Sequence, residues 1–234
     1  MADTAELAIV HATTASASWL TDPTVFAVNR KPAHSNHRYF LGEATEPKQN
    51  LDGVWKVNVT QAASIDVENA PFAAADFNDA GFGAINVPEH LQMAGYLKNK
   101  YVNVQYPWDG HEDPQEPNVP ETNHVALYRR TFTVAERLDA ARQNGGTVSI
   151  TFHGMATAIY VWVNGVFVGY GEDGYTPERI RYHPKRCTTA KTSWPSPATN
   201  TRAPLGWKIR ISGVCTACSV PWNSPHSRMC TLKI

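Results

Sequence analysis

The feature that most constrains this fold is an Asn-Gly pair set between two runs of strand-forming residues. Asn164-Gly165 separates Ala158–Val163 from Val166–Tyr170, and both runs are rich in aromatic and β-branched side chains. A type I′ turn needs positive φ at both central residues, which Asn and Gly tolerate, so the pattern predicts a two-residue β-hairpin. Because two strands alone are only marginally stable in water, the hairpin must belong to a larger sheet.

Short strand patterns recur on the N-terminal side of the hairpin, and helical periodicity is almost absent. The predicted strands are Gly53–Thr60, Ile85–Pro88, Leu127–Val134 and Thr147–His153. We expect a short helical or turn excursion at Ala135–Gln143, and a loop with a short helical turn at residues 62–83. Several short strands with turn signals and little helix predict an all-β, antiparallel sandwich.

Charge divides the chain sharply at Glu178. The 21 basic and 21 acidic residues balance overall, but every acidic residue lies at or before Glu178 and ten basic residues follow it. Residues 1–178 therefore carry a formal charge of −10 and residues 179–234 a charge of +10. All the cysteines lie in the second part, at Cys187, Cys215, Cys218 and Cys230. Such a change indicates two segments of different origin or role.

Ordered motifs across residues 19–177 resemble the N-terminal domain of the glycoside hydrolase family 2 β-galactosidases. The motifs are Pro23–Arg30, Pro32–His34, Leu51–Lys56, Val87–Gln92, Tyr101–Gly110 and Phe152–Pro177. The resemblance implies a jelly-roll sandwich, similar to galactose-binding domains. It also implies that the chain is a fragment of an enzyme that hydrolyses terminal non-reducing β-D-galactose residues, such as that of lactose. The resemblance stops just after Pro177.

Three parts are expected from these observations. Residues 1–50 form an extended arm, residues 51–178 an incomplete sugar-binding sandwich, and residues 179–234 a tail. In the resembling enzymes the arm helps to hold subunits together, so the parent protein is expected to be a homo-oligomer. Met1–Ala15 has no basic region typical of a secretory signal, and no apolar run approaches the roughly 18 residues of a membrane span. We therefore expect a cytoplasmic protein with no membrane partner.

Asn103 is the predicted substrate-binding residue. It lies in a loop with Tyr101, Tyr106 and Trp108 as neighbouring residues. Sugars are recognised by aromatic rings against their C–H faces and by amides or carboxylates on their hydroxyls. In the enzymes that it resembles, the Asn of this Tyr-x-Asn-x-x-Tyr-Pro motif contacts the galactosyl group. The alternative is an asparagine that satisfies backbone groups of its own loop.

No catalytic residue is predicted in this chain. Retaining glycosidases place two carboxylates about 5–5.5 Å apart, whereas the adjacent Glu172 and Asp173 would point to opposite faces of a strand. The resemblance assigns the catalytic glutamates, with Mg²⁺ and Na⁺ or K⁺ as cofactors, to a barrel hundreds of residues further on. The chain alone is therefore expected to be inactive and to hold no metal. A stand-alone, non-catalytic carbohydrate-binding module is the alternative.

The cysteines of the tail suggest a third hypothesis. Cys215 and Cys218, followed by His226 and Cys230, could provide a zinc site in a basic, nucleic-acid-contacting tail. The two longer gaps in this set do not match the usual spacing of zinc knuckles. We therefore expect no nucleic-acid partner.

A frameshift explains more of the tail. Back-translated with a free choice of synonymous codons, Trp207–Asn223 can be read one base earlier as a string beginning Leu-Glu-Asp-Gln-Asp-Phe-Trp. That string resembles the family's own continuation. The same shift across Cys187–Gly206 allows a strand-like Asn-Val-Leu-Ala-Val-Ala-Cys-Tyr, and the remaining frame across Arg179–His183 allows Glu-Phe-Asp-Ile-Thr.

Two single-base insertions, near Pro177 and near Pro184, would produce the observed chain from such a reading frame. The substituted sequence did not evolve to complete the sandwich. We therefore expect a largely irregular, disordered tail from about Ile180 onward. Trp207–Ile211 and Val214–Val220 have strand character, but we expect them to have no evolved partner.

Overall fold

The structure is a computed structural model. It describes residues 10–32, 48–61, 65–98, 112–115, 118–121, 123–155, 158–172 and 177–181, and the backbone alone of 182, 208–217 and 232–233. Its strands are β1 Ala27–Val28, β2 Gly53–Gln61, β3 Gly83–Val87, β4 His124–Thr133, β5 Val148–Phe152, β6 Ala158–Val163, β7 Val166–Gly171, β8 Glu178–Tyr182, β9 Lys208–Ala217 and β10 Leu232–Lys233. One α-helix, α1, spans Glu136–Gln143, and short 3₁₀ helices span Ala17–Thr21 and Pro71–Ala73.

The strands form two sheets. The larger has the order β1-β7-β6-β9-β4-β2-β3, and the smaller has the order β10-β5-β8. Every pairing between these strands is antiparallel. The predicted strands are confirmed with small shifts of their ends, as are the helical excursion and the 3₁₀ turn within the loop before β3.

The predicted hairpin is confirmed in its turn geometry. β6 and β7 are joined by Asn164 and Gly165, whose φ angles are 51° and 83°. Both values lie in the left-handed region that a type I′ turn requires. The register between the strands shifts between Val161 and Trp162, which marks a β-bulge.

One apolar core lies between the two sheets. The large sheet contributes a continuous inner face that includes Trp55, Ile85 and Val161, and the small sheet contributes Ile150 and Ile180. Stacked sheets of this kind bury alternate residues of each strand. This packing confirms the all-β sandwich.

The outer face of the large sheet carries a second core. The N-terminal arm, here residues 10–32, covers it with Ala15, Trp19 and Val28, and the loop before β3 covers it with Val67 and Phe72. As a result β6 is buried at all six positions, so its sequence reads as a continuous apolar run rather than an alternating one.

The structure describes strands at the start of the tail and within it. β8 packs into the core through Ile180, and β9 lies in the middle of the large sheet, paired with β4 over ten residues and with β6 over six. The parts of Trp207–Ile211 and Val214–Val220 that lie within 208–217 therefore pair with β4 and β6, and the expectation that they have no evolved partner stays a prediction. The physical reason is that β4 and β6 each present an edge of backbone N–H and C=O groups, which a strand between them satisfies. Residues 183–207 and 218–231 lie outside the described residues.

Candidate functional site

The predicted sugar-binding residues lie outside the part of the chain that the structure describes. Asn103, Tyr101, Tyr106 and Trp108 all lie within residues 99–111, outside the described residues. Their role therefore stays a prediction. The structure does describe the segments on both sides of this stretch.

On the N-terminal side, residues 88–98 are fastened to the outer edge of β3. The hydroxyl of Tyr96 donates to the carbonyl oxygen of Ala84 at 2.9 Å, and the backbone N–H of Asn86 donates to the carboxylate of Glu89 at 3.0 Å. A Cβ atom on Gly83 would lie 2.1 Å from the Tyr96 hydroxyl oxygen, so only glycine leaves room for this ring. The start of the candidate loop is thereby held against the sheet.

On the C-terminal side, the chain is held by local hydrogen bonds. The backbone N–H of Glu121 donates to the Glu112 carboxylate at 2.7 Å, and the N–H of Asn118 donates to the Gln115 carbonyl at 2.8 Å. Asn123 is buried where the chain enters β4. The stretch that contains Asn103 therefore connects two anchored segments.

A cluster of aromatic rings on β6 and β7 is a second place to look for a sugar platform. The ring of Tyr160 is stacked with that of Trp19 at a centroid distance of 6.0 Å and lies 4.5 Å from that of Tyr170. The Tyr160 hydroxyl also donates to the Ser16 carbonyl oxygen at 3.0 Å. Because the arm occupies this face, the cluster is core packing rather than a free platform.

Glu172, which the sequence does not predict to be catalytic, has a local structural role. Its carboxylate accepts a hydrogen bond from the Tyr170 hydroxyl, and its backbone N–H donates to the Phe26 carbonyl oxygen at 3.0 Å. Burial raises the pKa of the Glu172 carboxyl, and the bond from Tyr170 acts in the opposite direction. Asp173 lies outside the described residues.

Sequence reasoning missed a buried ion pair between the arm and β8. An Arg30 guanidinium nitrogen lies 2.5 Å from a Glu178 carboxylate oxygen, and the two side chains are 13% and 1% exposed. A Cβ on Gly171 would lie 2.6 Å from the Glu178 carboxyl carbon. The only signal in the sequence is that Glu178 is the last acidic residue of the chain.

Among the described residues there is no group of three or more His, Cys, Asp and Glu side chains placed to hold a metal ion. Cys187, Cys218 and Cys230 lie outside the described residues and only the backbone of Cys215 is described, so the zinc hypothesis stays untested. No helix within the described ranges is long and apolar enough to cross a membrane.

The architecture defines an antiparallel β-sandwich domain, and comparison with known proteins gives its family. The model of the glycosyl hydrolases family 2 sugar binding domain matches residues 48–184. The chain therefore belongs to glycoside hydrolase family 2. The predicted relationship is thus confirmed.

Named relatives agree with the family match. The chain is 75% identical over 180 residues to β-galactosidase BgaC of Bifidobacterium adolescentis, a match that covers 77% of this chain and 17% of that protein. It is 44% identical over 172 residues to a β-galactosidase of Lactobacillus delbrueckii subsp. bulgaricus, covering 71% of this chain and 16% of that protein. A β-glycosidase structure from Bacteroides vulgatus matches 81% of this chain and 20% of its own, with a TM-score of 0.46 and 16% identity. The chain thus spans about a sixth of the length of the β-galactosidases that it matches.

Proposed function

We propose that this chain supplies the sugar-binding domain of a β-galactosidase and that it binds terminal β-D-galactosyl groups. The observation that carries the proposal is the 75% identity over 180 residues to a protein named as a β-galactosidase, within a match to a sugar-binding domain. The segments on both sides of residues 99–111 are held by hydrogen bonds. This observation is consistent with a binding loop carried by a rigid sandwich, which is a common arrangement for binding loops.

Asn103 is the residue that we propose contacts the galactosyl group. A carboxamide carries two N–H donors and one acceptor oxygen, so it can bind a sugar hydroxyl in either sense. Tyr101, Tyr106 and Trp108 would offer ring faces to the C–H surface of the sugar. Fixing a sugar in this way orients its glycosidic bond for attack by groups supplied elsewhere in the parent protein.

Hydrolysis in the parent would be retaining, with one glutamate as nucleophile and a second as acid/base about 5–5.5 Å away. We assign neither role to a residue of this chain, and no step is assigned to Mg²⁺, Na⁺ or K⁺ here. The expectation that this chain itself holds no metal stays a prediction. The cytoplasmic location of the parent stays a prediction, and so does its homo-oligomeric state, which the resemblance implies.

Calorimetric titration of the full chain with galactose and lactose tests the binding proposal. We expect binding that Asn103→Ala weakens by about tenfold or more, because a bound hydroxyl loses its amide partner. Asn118→Ala is the matched control, since this exposed asparagine lies outside the predicted contact. Unchanged affinity in Asn103→Ala, or no binding by the unmodified chain, would contradict the proposal.

A turnover assay tests the expectation that this chain is an inactive fragment of the enzyme. The purified chain should release no nitrophenol from a nitrophenyl β-galactoside, whereas measurable release would place catalytic groups within it.

Zinc retained through exhaustive dialysis, with loss on mutation of Cys215 and Cys218 to Ser, would instead favour the zinc hypothesis for the tail.

A further inference from the structure

The large sheet contains a position that the family-matched region does not fill. β4 pairs with β2 on one side, and β6 pairs with β7 on one side; β4 and β6 meet only through β9. The family match ends at residue 184, whereas β9 begins at Lys208. Within residues 48–184 the sheet is therefore two pieces separated by the width of one strand, which we call the β4–β6 slot.

The chemistry of the β4–β6 slot is set by its walls. β6 is buried at every position, and β4 is buried from Val125 to Arg129. Both faces of the sheet are covered here, one by the small sheet and the other by the arm and the loop before β3. A strand in the slot must therefore offer backbone hydrogen bonds along both edges and apolar side chains on both faces.

β9 provides backbone hydrogen bonds along both edges of the slot, but its sequence is not apolar throughout. The register places Ser212 opposite Trp162 and Gly213 opposite Val161, at positions where both β6 side chains are buried. Glycine within a strand weakens it, since it adds no side chain to the packing and has more conformational freedom to lose. Serine is a polar residue type and supplies no apolar side chain to a strand that is buried on both faces. An apolar strand would fit these two positions better.

We propose that the β4–β6 slot is a strand-acceptor site, in which an added peptide strand with apolar side chains on both faces displaces β9. The peptide would run antiparallel to both β4 and β6, as β9 does. Main-chain hydrogen bonds would give it affinity and the buried walls would select apolar residues, which is the logic of β-strand addition. The run Asn-Val-Leu-Ala-Val-Ala-Cys-Tyr from the shifted frame has this character and carries no charge.

A labelled peptide with the sequence Asn-Val-Leu-Ala-Val-Ala-Ala-Tyr is the probe, and the full chain is the acceptor. Fluorescence anisotropy should show saturable binding. The matched control peptide has the same side chains but N-methyl groups on alternate residues, which remove N–H donors from one edge. We expect this control to bind at least about tenfold more weakly, because a strand in the slot needs both edges.

The register allows an engineered disulfide that distinguishes peptide binding in the β4–β6 slot from peptide binding elsewhere on the protein. Ala126 on β4 is the direct partner of Cys215 on β9. Opposed residues of antiparallel strands have Cα atoms about 4.5–5.5 Å apart, within the range of a disulfide. Oxidised Ala126→Cys should therefore hold β9 in the slot and lose peptide binding, and reduction should restore it. Ala126→Ser should bind the peptide in both redox states.

Ile159→Cys, on the other wall, offers the same lock if the first variant does not fold, because Ile159 is also opposite Cys215. Equal peptide binding to the oxidised and reduced forms, or equal binding of the N-methylated peptide, would overturn the proposal. So would the absence of a disulfide to Cys215 in both variants. Dimerisation of the chain without peptide, abolished by oxidation, would identify another copy's β9 as the occupant and overturn it equally.

Discussion

At the scale of single residues, the most informative group is Arg129, a buried cation on β4. Its guanidinium donates to Asp79 at 3.1 Å and to the carbonyl oxygens of Phe72 and Ala74. Lys56 reaches the other oxygen of the same carboxylate at 2.6 Å. Since a buried charge is costly unless it is paired, these contacts fix the loop before β3 to the sheet.

The Asp79 carboxylate should stabilise the protein in a pH-dependent way. Hydrogen bonds from Lys56 and then Arg129 hold its pKa below the ordinary value of 3.8, against the opposing effect of burial. The folded protein thus binds this proton more weakly than the unfolded chain does. The stabilisation is complete above a pH of about 4 and is lost as the pH falls below 3.8 through the lower folded-state pKa.

Asp79→Asn should therefore lower the free energy of unfolding by about 1–2 kcal/mol near neutral pH, since the carboxylate is partly exposed and screened. Urea unfolding at a pH of about 7 and about 2.5 measures the difference, which should shrink at the lower pH. Asp76→Asn, at an exposed position of the same loop, is the control. A loss of equal size at both pH values would show that the carboxylate charge is not responsible.

Gly171 should be required by the buried Glu178 carboxylate that faces it. A Cβ at Gly171 would lie 2.6 Å from the Glu178 carboxyl carbon, so a methyl group would require the buried Glu178 carboxylate to move. We expect Gly171→Ala to cost about 1–3 kcal/mol in thermal or urea unfolding. Gly81→Ala is the matched control, because nothing lies within 4 Å of its added methyl group. Equal stabilities of the two variants would contradict this packing.

At the scale of elements, β3 forms one edge of the large sheet, and side chains cover part of that edge. Glu89 accepts from the backbone N–H of Asn86, and Tyr96 donates to the carbonyl oxygen of Ala84. Exposed strand edges are templates for pairing with other chains, and natural proteins cover them. These two side chains therefore have a second role besides fastening the segment before the candidate loop.

The double variant Glu89→Ala, Tyr96→Phe should open this edge and promote self-association. Sedimentation velocity over a range of concentrations would show a larger oligomeric fraction than in the unmodified chain. Glu121→Ala is the control, since it removes an exposed carboxylate outside residues 88–98, the segment that covers this edge. A double variant that stays as monodisperse as its control would mean that the edge is protected by other means.

The sequence predicts an element well when neighbouring residues determine it, and poorly when residues far apart in the chain determine it. The β6–β7 hairpin follows from Asn164-Gly165, because the turn is decided by two adjacent residues. The contacts of Arg129 do not follow, since the Asp79 carboxylate and the two backbone carbonyls that it binds are 50 to 57 positions away, which no periodicity marks. Strand β9 has a strand pattern in sequence, but its partners depend on two edges that only the assembled sheet presents.

The candidate site is predicted only through the family motif. An asparagine in a loop rich in aromatic residues has no period or spacing that specifies a ligand, so Asn103 rests on the Tyr-x-Asn-x-x-Tyr-Pro resemblance. The family itself is confirmed over residues 48–184. The hydrogen bonds that Tyr96 and Glu112 make in the flanking segments required the structure, because each joins a side chain to a backbone group 9 to 12 positions away, a spacing that no periodicity in the sequence marks.

At the scale of the whole molecule, sequence character and family likeness change at nearly the same place. Acidic residues end at Glu178, and the family match ends at residue 184. Under the frameshift hypothesis, two single-base insertions near Pro177 and Pro184 would account for both changes. Reading the DNA around codons 176–185 from an independent source should show one base fewer at each place. An identical reading there would contradict the frameshift hypothesis.

The central claim is that the sandwich carries its sugar site on the loop between β3 and β4, and amide chemical-shift mapping with galactose tests it most directly. On titrating the isotopically labelled full chain, we expect saturable shifts concentrated in residues 96–115, and their loss in Asn103→Ala. Shifts confined to the β6–β7 hairpin and the arm, or no shifts at saturating galactose, would contradict the claim.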